Sequence, residues 1–481
     1  MNQPRQIFKN TAVLGIARLA DMVAGLVLAF FVSRLLHASG LGVYSAAMAY
    51  YGLIAMAGEM GSTNYLVREI AKDPSATNRY LVHVSVMATA VSAVVMAVFL
   101  IVLPYLNYSV ELATSLYVIA LAIIPGTLKT IQEAVFVAHQ RVEFVAYTTL
   151  FTVVIEIGLS VYLLLQGQGI LSLLVVFVVI QYIVMIGYSF FTSRYITKLH
   201  WEFDFRFARR ILGEIKTFAA SSLLGGLFAR PEIILLSLVS NDAQIGYYGA
   251  ALKLVDMWYL LPQVYMTNVF PVLSRSYHRA DQKSQVIQDK SIKYLLALSL
   301  PLAAGLIAVA RPVVYLLYGP GFAPSAVALR LLACNTVLYC LHAVLWRVLS
   351  ARGQQHLVLR VQAITIFTRL GSGLILIPPL ASLGAAIAMP ANLLLHIGLL
   401  ARHIRQGGTR LNLRRLGWRF ALAALVMGAL SLALSDQLHL WVLVPLAAIL
   451  YAGLVLLLRG FSSDDLALFR KIRQSELAER S

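Results

Sequence analysis

Long apolar runs separated by short polar breaks dominate the chain. Each run is about 20 residues, the length at which a helix crosses the hydrocarbon core of a bilayer. The runs are continuous rather than alternating, which argues against the strands of a membrane barrel. In lipid, backbone groups must find partners within their own segment, so the runs are helices. The pattern places six of them near 10–36, 43–70, 81–104, 112–137, 144–166 and 170–195. Six more fall near 217–240, 246–274, 289–310, 324–350, 358–380 and 384–401. A final pair lies at 417–435 and 440–458. The expectation is an all-α polytopic membrane protein with fourteen transmembrane helices. The breaks are short, as in GQG at 167–169, and leave no room for a soluble domain.

The polar positions then give an orientation. Eight stretches on alternate sides of the predicted helices hold 31 of the 39 Lys and Arg: 1–9, 68–80, 138–143, 194–216, 275–293, 347–360, 402–419 and 459–481. The opposite loops hold Arg311 alone. Basic loops stay in the cytoplasm, so both termini are expected inside. Composition agrees: 60% hydrophobic and 12% charged residues, against roughly 45–50% and about 25% in soluble domains. A net charge of +18 by itself would point to nucleic acid, but here it is spread along one membrane face, and no nucleic-acid partner is expected.

A short motif returns. GVYSAA at 42–47 reappears as GYYGAA at 246–251, 204 residues later, and Thr63-Asn64 reappears as Thr267-Asn268 at the same offset. Each glycine opens the second helix of a six-helix set. The reading is a duplication. Residues 1–195 form an N-terminal lobe and 217–401 a C-terminal lobe, joined by a cytoplasmic linker at 196–216. Six helices per copy give both copies one orientation, with their two-fold axis along the membrane normal. Helices 13 and 14, at 417–458, fall outside the repeat. The stretch WEFDFRFARR at 201–210 reads as an interfacial linker between the lobes. In the tail, 459–481, Leu466, Phe469 and Ile472 share one face of a short helix lying on the inner surface.

Charges within apolar spans carry the candidate chemistry. Each costs about 2.5–3.5 kcal/mol to insert, and such residues face a cavity or a partner. Arg18, Lys129, Arg230, Lys253 and Arg369 are basic residues deep in spans; Asp21, Glu59, Glu133, Glu156, Glu232 and Asp256 are acidic ones. Arg18–Asp21, Lys253–Asp256 and Lys129–Glu133 have the helical spacing of ion pairs, and scaffolding is the plain alternative to function. Arg230 precedes Pro231, which removes a backbone donor and bends the seventh helix. No phosphate-binding loop, metal-ligand spacing or catalytic constellation occurs. No enzyme activity, cofactor or metal is therefore expected.

The segments FVSRLLHASGLGVYSAA, GEMGSTNYLVREIAK, LVSNDAQIGYYGAALKLVD and YLLYGPGFAPSAVALRLLA followed by WRVLSARGQ resemble Wzx-type polysaccharide and O-antigen flippases. These form the oligosaccharide flippase family of the multidrug/oligosaccharidyl-lipid/polysaccharide exporter superfamily. The resemblance spans the chain and rests on glycines, small residues and hydropathy. It implies V-shaped alternating access between two six-helix lobes in the bacterial inner membrane. The implied substrate is an oligosaccharide, an O-antigen or exopolysaccharide repeat unit, carried on undecaprenyl pyrophosphate. Membrane lipids, a polysaccharide polymerase and chain-length proteins are the implied partners. By the same resemblance helices 1, 2, 7 and 8 line the cleft, where Arg18, Arg230 and Lys253, with Arg369, are the expected substrate-binding residues. Asp21, Glu59 and Asp256 are the expected ion-coupling residues. Three other readings stay open: a lipid II-type flippase, a cation-coupled multidrug antiporter, and a membrane polysaccharide polymerase or ligase. Against the last, the longest outer loop, near 311–324, holds one Arg and no acid. Against the antiporter, a cationic substrate favours acidic cavities, whereas the cleft set includes three basic residues.

Overall fold

A computed structural model describes residues 3–278, 283–406, 408, 411–435, 437–462 and 465. Among these residues the secondary structure is helical throughout, with no strand. Among the described residues, nine helices are long and apolar enough to cross a membrane, or ten if one pair bent by 44° is a single span. The chain divides into two compact units.

The first unit holds residues up to Leu254, with Leu317–Ser325 and Gln362–Ala388. It opens with α1 (Gln3–Glu59), two helices meeting at His37, whose φ of 59° breaks the helical run. With ψ at −164° it lies outside the left-handed helical well, in a region that residues with side chains rarely adopt, so the chain turns sharply there. Then come α2 (Ser62–Lys72), α3 (Thr77–Val102), α4 (Val110–Ala120), α5 (Ile123–Ala138), α6 (Val142–Leu165) and α7 (Ile170–Tyr195). The α4–α5 pair carries the 44° bend. Next, α8 (Phe205–Ala229) and α9 (Pro231–Val239) are parted at Arg230. Proline fits the first turn of a helix but not its interior, so Pro231 starts α9 instead of continuing α8.

Residues of the predicted 196–216 linker are therefore helical from Phe205 onward. Ala208, Ile211 and Ile215 are buried against Tyr65, Leu66 and Leu81 of α2 and α3. Phe203 stacks on the His83 ring, and His83 accepts a hydrogen bond from the Asp204 amide at 2.7 Å. The linker is pinned to the first unit by packing and by these contacts.

The repeated motif meets itself here. It lies after the break in α1 and in α10 (Asp242–Asp256). A Cβ on Gly42 would sit 1.7 Å from the Asp242 carbonyl oxygen; one on Gly246 would sit 1.9 Å from that of Ala38. Ala38 and Asp242 are themselves 204 residues apart, so the two clashes are one clash seen from both sides of a pseudo-two-fold axis. At the next turn, a Cβ on Gly249 would approach Ser45 Oγ to 2.7 Å. Only glycine lets two helices approach this closely. Around this crossing Ser109 donates to Asp242 at 2.6 Å, Ser382 donates to Gln244 at 2.6 Å, and the Tyr50 and Ser237 hydroxyls lie 3.1 Å apart.

The second unit holds Val255–Leu316, Ala326–Val361 and the chain from Met389. Its elements include α11 (Leu260–His278), α12 (Lys283–Ala308) and α13 (Ala310–Tyr318), whose last residues belong to the first unit. Both units share α14 (Ala323–Ala351) and α15 (Gln355–Gln406), which is broken at Ala381 with φ 46°. The chain ends in α16 (Leu413–Leu434) and α17 (Leu440–Leu457). Met266, Ile292, Val344, Val348, Val361 and Leu400 form the main core. After α17, buried Asp465 receives hydrogen bonds from Lys293 and from Tyr294, the latter at 2.7 Å. Burial works to raise its carboxyl, but Lys293, the Ser462 amide and Tyr294 hold it well below the usual carboxylate range. The predicted tail helix with Leu466, Phe469 and Ile472 lies outside the described residues.

Candidate functional site

The first unit contains a charged cavity of about 240 Å³. Side chains from five helices line it. On α6, Thr148, Thr152 and Glu156 recur every fourth residue and line it. The other side of α6 is apolar and exposed: Tyr147 71%, Phe151 59%, Val154 70%. That is the amphipathy of a span with lipid outside and polar chemistry inside. On α7, Phe177, Gln181, Val184 and Tyr188 follow the same logic. Lys129 and Glu133 face in from α5, and Asp21, Gly25 and Leu28 from α1. Lys253 enters from α10, and Tyr44, the tyrosine of the first motif copy, completes the wall.

Several side chains are held in place. Tyr188 donates to the Glu133 carboxylate at 3.3 Å. The Thr152 hydroxyl donates to the Thr148 carbonyl at 2.7 Å, which leaves its lone pairs to accept. Lys253 Nζ lies where a side chain on Gly25 would be, 2.4 Å from the ideal Cβ position, so the missing side chain of Gly25 makes room for the ammonium. Gln181 is 5% exposed and its Oε1 has no hydrogen-bond partner among the described residues.

Of the seven residues singled out from sequence, the cavity gathers Asp21 and Lys253. Arg18 is exposed on α1, one turn before Asp21. Glu59 is half-buried at the end of α1, Arg230 is half-buried at the α8–α9 break, and Asp256 ends α10 within the second unit. Arg369 is buried and grips Glu232 with two nitrogens: Nη2 donates at 2.7 Å and Nε donates to the other carboxylate oxygen. Glu232 thus pairs with Arg369, a partner 137 positions away that sequence spacing could not reveal. Sequence reasoning left Glu156 without a role and passed over Gln181 and the α6 threonines. The signal was present as the Thr148, Thr152, Glu156 stripe in an otherwise apolar run.

A family model described as polysaccharide biosynthesis protein matches residues 31–327, and one described as lipid II flippase MurJ matches residues 260–452. A probable low-salt glycan biosynthesis flippase, Agl15 of Haloferax volcanii, is 22% identical over 232 residues, 47% of this chain and 48% of the relative. The matched part is thus about half the length of that curated relative. Among solved structures, a lipid II flippase MurJ in an inward closed conformation superposes with a TM-score of 0.76 at 15% identity, over 92% of this chain and 98% of that one. An inward-facing multidrug resistance MATE family transporter of the MOP superfamily gives 0.62 at 14% identity, over 88% and 99%. The fold is that of these transporters.

Proposed function

Since the chain belongs to the family described as polysaccharide biosynthesis protein, we propose that it is a flippase, not an enzyme. It moves an undecaprenyl-pyrophosphate-linked oligosaccharide, an O-antigen or exopolysaccharide repeat unit, across the bacterial inner membrane by alternating access. The observation that carries this reading is the cavity: two lysines, three carboxylates and a polar threonine stripe inside a bundle whose outer surface is apolar. Such groups are costly in a membrane and are kept where a polar cargo passes. The glycan and lipid II flippases among the relatives support a lipid-linked cargo.

In this reading the chain crosses the membrane fourteen times with both ends in the cytoplasm, and residues 1–195 and 217–401 are the moving lobes. Arg18, Arg230 and Lys253 receive the anionic head, for which guanidinium is a planar, permanently charged partner. Arg369 joins them only in a state in which Glu232 releases it. Asp21, Glu59 and Asp256 carry the coupling ion. The polymerase and chain-length proteins act on the delivered cargo.

The test is glycan export, scored against protein level, in Arg18→Gln, Lys253→Gln and the double variant Arg18→Gln/Asp21→Asn. Loss of export in all three at normal protein level is expected. Recovery of export in the double variant would reduce Arg18 to a structural partner of Asp21, because removing both charges leaves no unpaired one behind.

A further inference from the structure

The cavity of the first unit holds more chemistry than an anionic head needs. Its two ammonium groups, Lys129 and Lys253, are matched by three carboxylates, Asp21, Glu133 and Glu156. Carboxyl groups thus outnumber ammonium groups in the lining. A pyrophosphate leaving water needs a surplus of cations and donors, so this lining is not built for that anion alone. A coupling ion alone explains the carboxylates but not the rest: the Thr148 and Thr152 stripe, the Gln181 amide and the aromatic faces of Tyr44, Phe177 and Tyr188.

Dense, alternating donors and acceptors suit a ligand whose every group both donates and accepts. A hydroxyl does this, whereas a carboxylate only accepts and an ammonium only donates. Gln181 points the same way, since its buried Oε1 finds no donor among the described residues and a hydroxyl would supply one. Leaving such an atom unmet costs about 1–3 kcal/mol. Size narrows the ligand further. At about 240 Å³ the cavity falls below the roughly 300–1,000 Å³ that encloses a drug-sized molecule, so it takes a single ring.

We propose that this cavity is a saccharide subsite that takes one hydroxyl-rich sugar ring of the translocated head. Glu133 and Glu156 accept from ring hydroxyls, Lys129 donates to a hydroxyl oxygen and Gln181 accepts from a neighbouring hydroxyl, while Lys253 and Asp21 keep their roles toward the anionic head and the coupling ion. The proposal rests on the flippase reading above. It separates the cargo in space: the sugar enters the mixed-charge cavity, and the pyrophosphate stays with Arg18, Arg230 and Lys253.

The experiment uses the full chain in lipid vesicles, with Cys334→Ser and Cys340→Ala, and a single cysteine at Thr152→Cys. The rate of alkylation by N-ethylmaleimide is measured alone, with undecaprenyl pyrophosphate, and with the same carrier bearing a disaccharide of N-acetylglucosamine. Protection by the glycosylated carrier and none by the bare one is the expected result. Adding Glu156→Gln or Gln181→Leu should then weaken that protection, taken relative to each variant's own unprotected rate, about tenfold, the effect of one lost buried hydrogen bond to a charged or polar group. Equal protection by both carriers would assign the cavity to the pyrophosphate and overturn the proposal, and so would protection by neither. Movement of the glycosylated carrier by the wild-type protein, followed with an impermeant lectin, is the separate control. If the lipid moves but Thr152→Cys is not protected, only the subsite falls. If the lipid does not move, the flippase reading falls and the subsite with it.

Discussion

The two copies of the repeated motif have kept one thing and parted on almost everything else. Gly42 and Gly246 face each other across the pseudo-two-fold axis, each filling the space that the other's backbone leaves. The chemistry around them is not shared. Lys253 of the second copy corresponds to Ala49 of the first, Asp21 of the first to Gly225 of the second, and buried Glu232 to buried Leu28. Tyr44 lines the cavity, whereas its counterpart Tyr248 is fully buried. A backbone crossing constrains both partners equally, so duplication preserves it. A binding site is used once, so each copy has drifted to a different side of it.

The sharpest break in that comparison lies at position 28 against 232. There the first copy has leucine and the second a carboxylate clamped by Arg369. Arg369→Leu is expected to destabilise the protein by about 3–5 kcal/mol, because it strands a buried charge. Glu232→Met/Arg369→Met restores the apolar state of the first copy and should recover most of that loss. Thermal unfolding in detergent measures both. If the double variant folds but does not export, Arg369 has a role beyond scaffolding; if it exports normally, the pair is only a strut.

The glycine crossing comes next. Gly42→Ala and Gly246→Ala each drive a methyl into a backbone carbonyl, which cannot rotate away. The cost is expected at the upper end of overpacking, about 3 kcal/mol, and equal within error for the two. The symmetry is the point of the measurement: a large difference between the two variants would show that the crossing is not shared equally by the copies. A disulfide between Ser45→Cys and Gly249→Cys, whose Cβ positions lie 3.2 Å apart, replaces the close contact with a bond once the helices part by a few tenths of an ångström, and should arrest export, with recovery on reduction.

These variants also mark how far the sequence could be read. Hydropathy gave the helices because lipid permits so little else. The repeat was legible because glycine cannot be exchanged where two backbones touch, and the shared offset of Ala38 and Asp242 turns that weak similarity into geometry. The breaks at His37 and Ala381 fall in the gaps that hydropathy left between 36 and 43 and between 380 and 384, although neither residue type marks the positive φ found there. The Arg369–Glu232 pair was hidden because spacing along one helix cannot reveal a partner on another. The cavity was partly legible: Asp21, Lys129, Glu133, Glu156 and Lys253 stood out as charges, but Thr148 and Thr152 are common in apolar helices and signal only as part of a stripe.

A smaller effect separates the two tyrosines. Tyr44→Phe removes a hydroxyl from the cavity wall and should lower export by up to about tenfold, the value of one hydrogen bond, at unchanged stability. Tyr248→Phe should do the reverse, costing about 1 kcal/mol in unfolding while export per folded molecule is preserved. Export and thermal unfolding on both variants would expose an exchange of these roles.

The smallest effect is expected at Gly52, ten residues along the same helix from Gly42. Nothing lies within 4 Å of where its Cβ would be, and its counterpart in the second copy is Asp256, a residue with a side chain to place. Unlike Gly42, then, Gly52 is not required by a close approach. Glycine inside a helix is less stable than alanine by roughly 0.5–1 kcal/mol because it loses more freedom on folding. Gly52→Ala should therefore raise stability by about that amount, read as a small upward shift in melting temperature. Export decides what the glycine does. If export is unchanged, only the crossing glycine of this helix is structural. If export falls while stability rises, Gly52 gives the helix a flexibility that transport uses, and the difference between the two copies extends from their chemistry to their motion.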